Sequence, residues 1–454
     1  MVIITHEISK FLENTSIFAG RTKLHTIMTL KTFLFCASAL ALAACGGPKE
    51  AAVVENVVAH TKVGDIGSLM VEAIEITVSN PKSLKGLTAA DFDFVNNGPD
   101  GFVDPATGGA LTAHEDDAIV VTRKKNTLRI ETKPFNINGL RGQMWRSEPW
   151  KLVCSADSCL NVTLNEVNDR RIAVLDDCIK GEFTYAGLTR EYILHLPKDA
   201  QGNVIENAPL LVWQIGGGEY NRDLMTAVTA NRCVTSLPEA GVPCATLMFA
   251  IANPNYSYSA SLDPERIKLV DRNNALQMAF IDTLIEEGKV DGSKLFCAGA
   301  SSGGGCTMRF MMQFPDRFKA AVPCCAMDPI VPIHMVKEKY DGQFTDDLVK
   351  AFQDKVYKWN GTDMVLTDMD TKAFCDLPMY FVHANSDTTC KVISSYAYYG
   401  ARERLGAKND LIQIYDDAYM QKFGISKMIS HFSWVPLLND YSEGTAMDWL
   451  VKQM

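Results

Sequence analysis

Basic residues are few and scattered in this chain. Its 44 Lys and Arg stand against 54 Asp and Glu, giving a net charge of −10 over 454 residues, and its one basic triplet is Arg123-Lys124-Lys125. A phosphate-binding surface needs clustered cations, so there is no footprint for a nucleic-acid partner. Metal motifs are missing as well. There is no C-x-x-C and no H-E-x-x-H, and only six of the eight histidines lie beyond residue 45. Neither a lysine-bearing P-loop nor a dinucleotide G-x-G-x-x-G occurs. The expectation is therefore an acidic protein that works without metal or cofactor. No apolar run approaches the roughly 18 residues of a membrane span; the longest near a terminus is Phe33 to Ala44. Repeats and low-complexity tracts are absent. What remains is an ordinary globular composition, 47% apolar and 22% charged, in a chain long enough for two or three domains.

The N-terminus has the shape of an export signal. Met28-Thr29-Leu30-Lys31 precedes the apolar run, whereas residues 1–27 lack that shape, so Met28 reads as the true start. The run closes on Leu42-Ala43-Ala44-Cys45-Gly46, which resembles the lipobox of bacterial lipoproteins. That resemblance implies acylation of Cys45, which becomes the mature N-terminus of an exported protein. Such a protein is anchored by lipid to a membrane, on the periplasmic side or at the cell surface. A plain cleaved signal with an incidental cysteine is the alternative. Residues 1–45 are thus a signal segment and 46–65 a polar tether. Export permits disulfides, and Cys154/Cys159, Cys233/Cys244 and Cys375/Cys390 are the nearest candidates, with the pairings open. Cys297 and Cys306 read as small core residues.

From 66 to 176 the pattern has period two. Val71 to Val78 and Thr127 to Thr132 alternate apolar and polar, with Ser79-Asn80-Pro81 and Asn97-Gly98-Pro99 as breakers. Short strands so spaced predict a small β-sandwich. His114 there, and His60 just before it, read as surface residues, and Trp145 and Trp150 as packing residues. From 178 to 454, strands alternate with helices, which predicts a mostly parallel sheet. Its strands fall at Tyr192–Pro197, Leu210–Ile215, Ala245–Ala250, Leu295–Ala298, Phe318–Pro323, Met379–His383 and Leu411–Tyr415. Helical periodicity covers Val270 to Glu287 and Gly444 to Lys452. An insertion at about 327–376, with an amphipathic helix near Thr345 to Lys358, is placed to cap a pocket.

Within the sheet region, Gly299-Ala300-Ser301-Ser302-Gly303 sits between a buried strand and a helix. Strand, G-x-S-x-G and helix form the context of a nucleophile elbow, in which a strained serine tips a tight turn and its neighbours two away must lack a Cβ. Serine is a weak nucleophile until a base takes its proton and an acid orients that base. Only His334, His383 and His431 follow Ser301. His431 lies in a loop between the last strand and the closing helix, and Asp387 lies just past a strand end. Ser301 is therefore the candidate nucleophile, His431 the base and Asp387 the orienting acid. A surface histidine and a turn aspartate are the plainer readings of the last two. The Ser302 backbone N–H and the Gly216-Gly217-Gly218 loop, through Gly217 and Gly218, are the candidate oxyanion donors.

The segment from Gly187 onward resembles the α/β-hydrolase superfamily. It is most similar to esterases related to feruloyl and acetyl-xylan esterases and polyhydroxybutyrate depolymerases, often labelled predicted peptidases. The likeness rests on Arg190-Glu191-Tyr192 through Pro197, Gly216-Gly217-Gly218-Glu219, the elbow, and Phe314-Pro315-Asp316-Arg317-Phe318. It rests further on His431-Phe432-Ser433-Trp434 and Asp448-Trp449-Leu450. It implies an α/β-hydrolase domain with the triad Ser301, Asp387 and His431, and an immunoglobulin-like β-sandwich before it. The implied substrate is a small acyl or carbohydrate-linked carboxylic ester. A serine peptidase on the same fold and a non-catalytic surface binding lipoprotein are the rivals. Two positions depart from the family pattern: Ile215 stands where a histidine usually precedes the glycines, and Ala384 where a glycine usually follows His383.

Overall fold

The computed structural model describes residues 50–96, 119–136, 150–167, 169–251, 263–327, 330–331 and 342–454. The signal segment with Cys45, and also His114, Trp145 and His334, lie outside the described residues. Alternation governs the first region. In the strand Leu69–Val78, residues Val71, Ala73, Ile74, Ile76 and Val78 are buried while Glu72, Glu75 and Thr77 stay partly exposed. This strand belongs to a five-stranded sheet ordered Val120–Lys124, Thr127–Asn136, Leu69–Val78, Val54–Val63 and Asp169–Ile172. A second sheet pairs Phe92–Asn96, Trp150–Cys154 and Val162–Thr163. Ile74, Ile76 and Ile130 of the first sheet share one buried cluster with Phe92, Phe94 and Leu152 of the second, so the two sheets close on each other as a sandwich.

Eight strands build the larger sheet: β1 (Ile179–Tyr185), β2 (Leu188–His195), β3 (Ala208–Gln214), β4 (Ala245–Phe249), β5 (Val290–Ala300), β6 (Ala320–Cys324), β7 (Tyr380–Ala384) and β8 (Leu411–Tyr415). Their order is β1-β2-β4-β3-β5-β6-β7-β8, antiparallel at β1/β2 and β2/β4 and parallel elsewhere. The central strands are apolar almost throughout because both faces are covered. Leu211 and Trp213 point into one core, which the helix Ala446–Gln453 closes with Ala446, Met447 and Leu450. Leu210 and Val212 point into the other, beneath α1 (Pro264–Glu286), α2 (Ser302–Gln313) and α3 (Ile393–Arg404).

Three elements depart from the sequence expectation. Residues 46–65, expected to form a polar tether, hold instead the strand Val54–Val63, whose alternating apolar residues pair it with Leu69–Val78 inside the five-stranded sheet. Helix α1 begins six residues before Val270, because Asp263 caps it by accepting the Glu265 N–H and Pro264 occupies its first turn. The helix expected over 345–358 runs instead from Gln343 to Ala351, and the chain then forms an antiparallel hairpin, Lys355–Trp359 with Met364–Asp368. Val356, Tyr357, Trp359, Val365 and Thr367 favour strand. Asn360-Gly361 makes the turn, with Gly361 at φ +101° and Asn360 Oδ1 accepting the Thr362 and Asp363 N–H groups. The hairpin docks on α1, where the Tyr357 N–H donates to Asp271 at 2.9 Å. Asp271 also takes a bidentate pair from Arg309 of α2, at 2.7 Å on each oxygen. Burial pushes its carboxyl up, and Arg309 opposes that shift.

The sandwich joins the larger sheet through the loop 64–68. The Ser68 N–H donates to Thr229 O at 2.7 Å, Asn439 Nδ2 donates to Asp65 O at 3.0 Å, and Arg232 pairs with the Asp65 carboxylate at 3.0 Å. Val63 and Leu175 enter the core below β3. Gly67 has φ +93°, and a Cβ there would lie 2.1 Å from Ala230 O. Gly67→Ala should therefore lower stability by about 2–3 kcal/mol, as overpacking against backbone and a left-handed φ act together. Thermal denaturation of the variant checks this; an unchanged midpoint would mean that the loop does not dock as described.

Candidate active site

The geometry begins at the bend from β5 into α2. Ser301 sits there at φ +58° and ψ −123°, a conformation that side chains avoid. The bend is that tight because it lies against the end of β3. A Cβ on Gly303 would be 2.0 Å from Gln214 O, and one on Gly299 would be 2.5 Å from Gly303 O and 2.7 Å from Gln214 O. The glycines on either side of the serine are thus demanded by contact. Gly304 is similarly confined, 2.6 Å from Cys324 O by the same construction. Hydrogen bonds hold the strained residue on both sides: its N–H donates to Cys324 O at 3.0 Å, and the Met327 N–H donates to its carbonyl at 2.9 Å.

Asp387 and His431 arrive from the loops after β7 and β8. The structure brings them together, with His431 Nδ1 2.7 Å from Asp387 Oδ2. Carboxylate oxygens only accept, so Nδ1 carries the proton and Nε2 presents a lone pair. The other carboxylate oxygen accepts the Thr389 and Cys390 N–H groups at 2.8 and 3.0 Å. Oδ2 also lies 3.2 Å from His383 Nε2. That nitrogen faces Cys390 O at 2.8 Å too, while Ser395 Oγ–H is placed to donate to His383 Nδ1 at 2.8 Å. Both groups opposite Nε2 lack a proton to give, which fixes the His383 tautomer. Burial alone would push the Asp387 carboxyl up. Hydrogen bonds from His383 and then His431 more than offset it, and the group is held well below the usual carboxylate range. The two loops are cross-tied: Ser430 Oγ donates to Ser386 O at 2.6 Å, and the Ala384 N–H donates to Ser433 Oγ at 2.9 Å. Trp434 meets the His431 ring edge-on at 5.4 Å between centroids.

Ser301 and His431 line one cavity of about 270 Å³ together with Ser302, Gly217, Gly218, Trp213 and Trp434. Ser302 opens α2, where the first backbone N–H groups have no acceptor within the helix. Gly217 packs on it, since a Cβ there would lie 3.1 Å from Ser302 Oγ. All six residues expected at the site therefore border a single space or, for Asp387, the histidine on its wall. Of the insertion, Met327 reaches the cavity, and the described helix and hairpin pack elsewhere.

Several features of the site were not expected. His383, read from sequence as structural, is buried directly beside Asp387, its Nε2–H donating to Cys390 O at 2.8 Å and standing 3.2 Å from Asp387 Oδ2. Cys390 places its thiol 3.9 Å from Ser301 Oγ, and burial pushes that thiol up to about 12, with Asp387 adding to the shift. All eleven described cysteines are free, so none of the three suggested disulfides is present. Most are buried as small apolar side chains, and Cys390 is packed against Ser301 instead of bonded to Cys375. Asn231 also lines the cavity; its Oδ1 accepts the Cys233 N–H at 2.8 Å. Nothing local in the sequence marks these positions.

The sheet order and the elbow define an α/β-hydrolase fold. The prolyl oligopeptidase family model (Peptidase_S9) matches residues 271–419, a span that holds Ser301 and Asp387 and stops before His431. A thermostable esterase of solved structure is similar over 88% of this chain and 99% of its own, at 18% identity and a TM-score of 0.58. That extent reaches beyond the larger sheet into the β-sandwich. Est1E from Butyrivibrio proteoclasticus aligns at 16% identity and a ferulic acid esterase at 14%, with TM-scores of 0.36 and 0.40. They cover 60% and 61% of this chain and 98% of each of theirs. No curated protein sequence matches significantly.

The elbow makes a structural prediction of its own. Gly303→Ala should be destabilised by more than the roughly 1–3 kcal/mol of ordinary overpacking, because the obstructing atom is backbone of β3 and cannot swing aside. Chemical denaturation measures it, and a loss below 1 kcal/mol would contradict the tight packing of the bend.

Proposed function

We propose that this chain is a serine hydrolase that cleaves carboxylic esters by way of an acyl-enzyme. Ser301 is the nucleophile, His431 the general base and then acid, and Asp387 the group that holds the imidazole. The observation that carries this reading is the shared cavity: Ser301 and His431 line it, and Asp387 engages His431 at Nδ1, which leaves Nε2 as the free ring nitrogen. In the first step Nε2 takes the Oγ proton as Oγ bonds to the ester carbonyl carbon. The oxyanion that forms is met by the Ser302 N–H and by backbone N–H groups of Gly217 and Gly218. Nε2–H then protonates the leaving alkoxide, and the C–O bond breaks to leave acyl-Ser301. A water deprotonated by Nε2 attacks the acyl carbon, and collapse returns the acid and free Ser301. Asp387, held below the usual carboxylate range, stays charged and stabilises the imidazolium in both halves.

An ester fits this site better than a peptide. An alkoxide leaves with less proton donation than an amine, and about 270 Å³ lies just under the roughly 300–1,000 Å³ of sites for drug-sized ligands, which suits a small acyl group. Serine peptidase activity is the rival reading, favoured by the peptidase family that the 271–419 match names. A lipid anchor at Cys45, with residence at an exported membrane surface, completes the proposal; it rests on the residues 42–46 alone.

Purified protein should turn over a short-chain nitrophenyl ester. Ser301→Ala should lose at least about 10³-fold in kcat and all labelling by a fluorophosphonate probe, and Asp387→Asn should lose about 10⁴-fold through the wrong imidazole tautomer. Cleavage of a chromogenic peptide with no ester turnover would overturn the ester reading. Activity retained in Ser301→Ala would overturn the triad. Metabolic palmitate labelling that persists in Cys45→Ala would overturn the anchor.

A further inference from the structure

Three buried or half-buried donors converge behind the candidate nucleophile in a way that ester cleavage does not use. Cys325 Sγ, an Asp387 carboxylate oxygen and a His431 ring nitrogen all lie within 4.8 Å of one another. Cys325 follows the last residue of β6 and bends sharply out of it, at φ +37°, with its N–H donating to Val382 O at 2.7 Å. The bend is costly for a residue with a Cβ, and neighbouring strands hold it. Hydrolysis by Ser301, His431 and Asp387 needs no thiol at this place.

Thiolate, imidazole and carboxylate are the donor set of zinc and of its softer relative cadmium. Donors bound at about 2.0–2.3 Å to one tetrahedral ion stand about 3.5 Å apart. The thiol need close by no more than about an ångström, while Asp387 Oδ2 and His431 Nδ1, now 2.7 Å apart, would open by a similar amount to admit the ion. A second thiol is close: Cys324 Sγ lies 4.0 Å from Cys325 Sγ.

We propose that Cys325, Asp387 and His431 form an inhibitory site for a thiophilic divalent cation, with Zn²⁺ or Cd²⁺ as the ligand class. The inhibition half of this rests on the serine-hydrolase reading; the binding half does not. Loading replaces the Cys325 S–H bond by a metal–sulfur bond and releases that proton to solvent, with no change of oxidation state. Either ring nitrogen serves to stop the enzyme. Coordination at Nδ1 drives the proton to Nε2, which can then no longer accept from Ser301, and coordination at Nε2 occupies the base itself. The site is thus occupied only at the expense of the catalytic tautomer.

Two measurements test this separately. Zn²⁺ or Cd²⁺ should inhibit ester hydrolysis reversibly, with EDTA restoring the rate. Cys325→Ala, active without metal, should raise the half-inhibitory concentration by at least the ~10–100-fold that losing even an outer-sphere partner costs. In the Ser301→Ala background, which needs no turnover, added Co²⁺ should give a near-ultraviolet thiolate-to-cobalt charge-transfer band, absent from the Ser301→Ala/Cys325→Ala double variant. If Cys325→Ala fails to fold, Cys325→Ser keeps the volume while removing the soft donor and should behave in the same way. Inhibition and a cobalt band both indifferent to Cys325 would overturn the proposal and place the ion on another thiol. A Cys325-dependent band in a protein with no ester turnover would sustain the site and reject the hydrolase reading instead.

Discussion

Between Gln214 at the end of β3 and Gly303 at the start of α2 there is no room for a single further carbon: a Cβ would stand 2.0 Å from a carbonyl oxygen. That closeness forces the chain from strand into helix within one residue. Ser301 is driven into a left-handed conformation, its hydroxyl faces the cavity, and the N-terminus of α2 faces it as well. Loosening the bend would cost all three at once. The helix is anchored from the far side too, since Arg309 binds the buried Asp271 of α1 with both carboxylate oxygens. Removing one partner of such a pair strands a buried charge, a penalty of about 3–5 kcal/mol, so α2 cannot readily slide away to relieve the strain at Ser301.

Asp387 is the second fixed point, and its environment is balanced against itself. Burial favours the neutral acid, while His383, His431 and two backbone N–H groups favour the charged form and prevail. Because the folded-state pKa is depressed, the stability that the carboxylate contributes is fully present above its ordinary unfolded value. It is lost only as pH falls from there through the folded value. Across neutral and mildly acidic conditions the imidazole therefore keeps its orienting charge. His383 supports Asp387 from behind: its tautomer is set by Ser395 and Cys390 O, and its Nε2–H, bonded to Cys390 O, stands 3.2 Å from the carboxylate. A chain of fixed tautomers reaches from the interior to the cavity wall.

The parts of this arrangement that were legible in sequence are those written locally. Glycines two residues either side of Ser301, a buried strand before it and a helix after it sit within some twenty residues. The order Ser301, Asp387, His431 needs only the chain direction. The parallel strands announce themselves as apolar runs, and Leu411–Tyr415 appears with the boundaries expected. What was hidden depends on contacts between distant segments. The helix expected to reach Lys358 overruns the first strand of the hairpin at 355–368 because the α-type spacing of Gln343–Ala351 is carried too far, although Asn360-Gly361 between β-branched and aromatic residues is the signal against it. The Cys390 thiol beside Ser301, Cys325 beside Asp387 and Asn231 in the cavity wall have no sequence signature, for each meets the site only when segments distant in sequence assemble around it.

The β-sandwich belongs to the same argument. Its loop 64–68 contacts the larger sheet at residues 229, 230 and 232, and Asn231, between them, lines the cavity of Ser301. Arg232 is held at once by Asp65 of the sandwich, by Glu239 and by Asn439, which precedes the C-terminal helix. Ser236 in the next turn binds Leu438 O, so the cavity's outer wall is clamped between the sandwich on one side and the segment following His431 on the other. A wall residue fixed from both directions cannot move independently of either, and Ser68 and Asp65 supply backbone and charge contacts that the larger sheet does not provide for itself. Among the described residues, the sandwich meets the site through the strip 229–232 and none of its side chains lines the cavity. That is the physical sense in which residues 52–454 make one unit and not two.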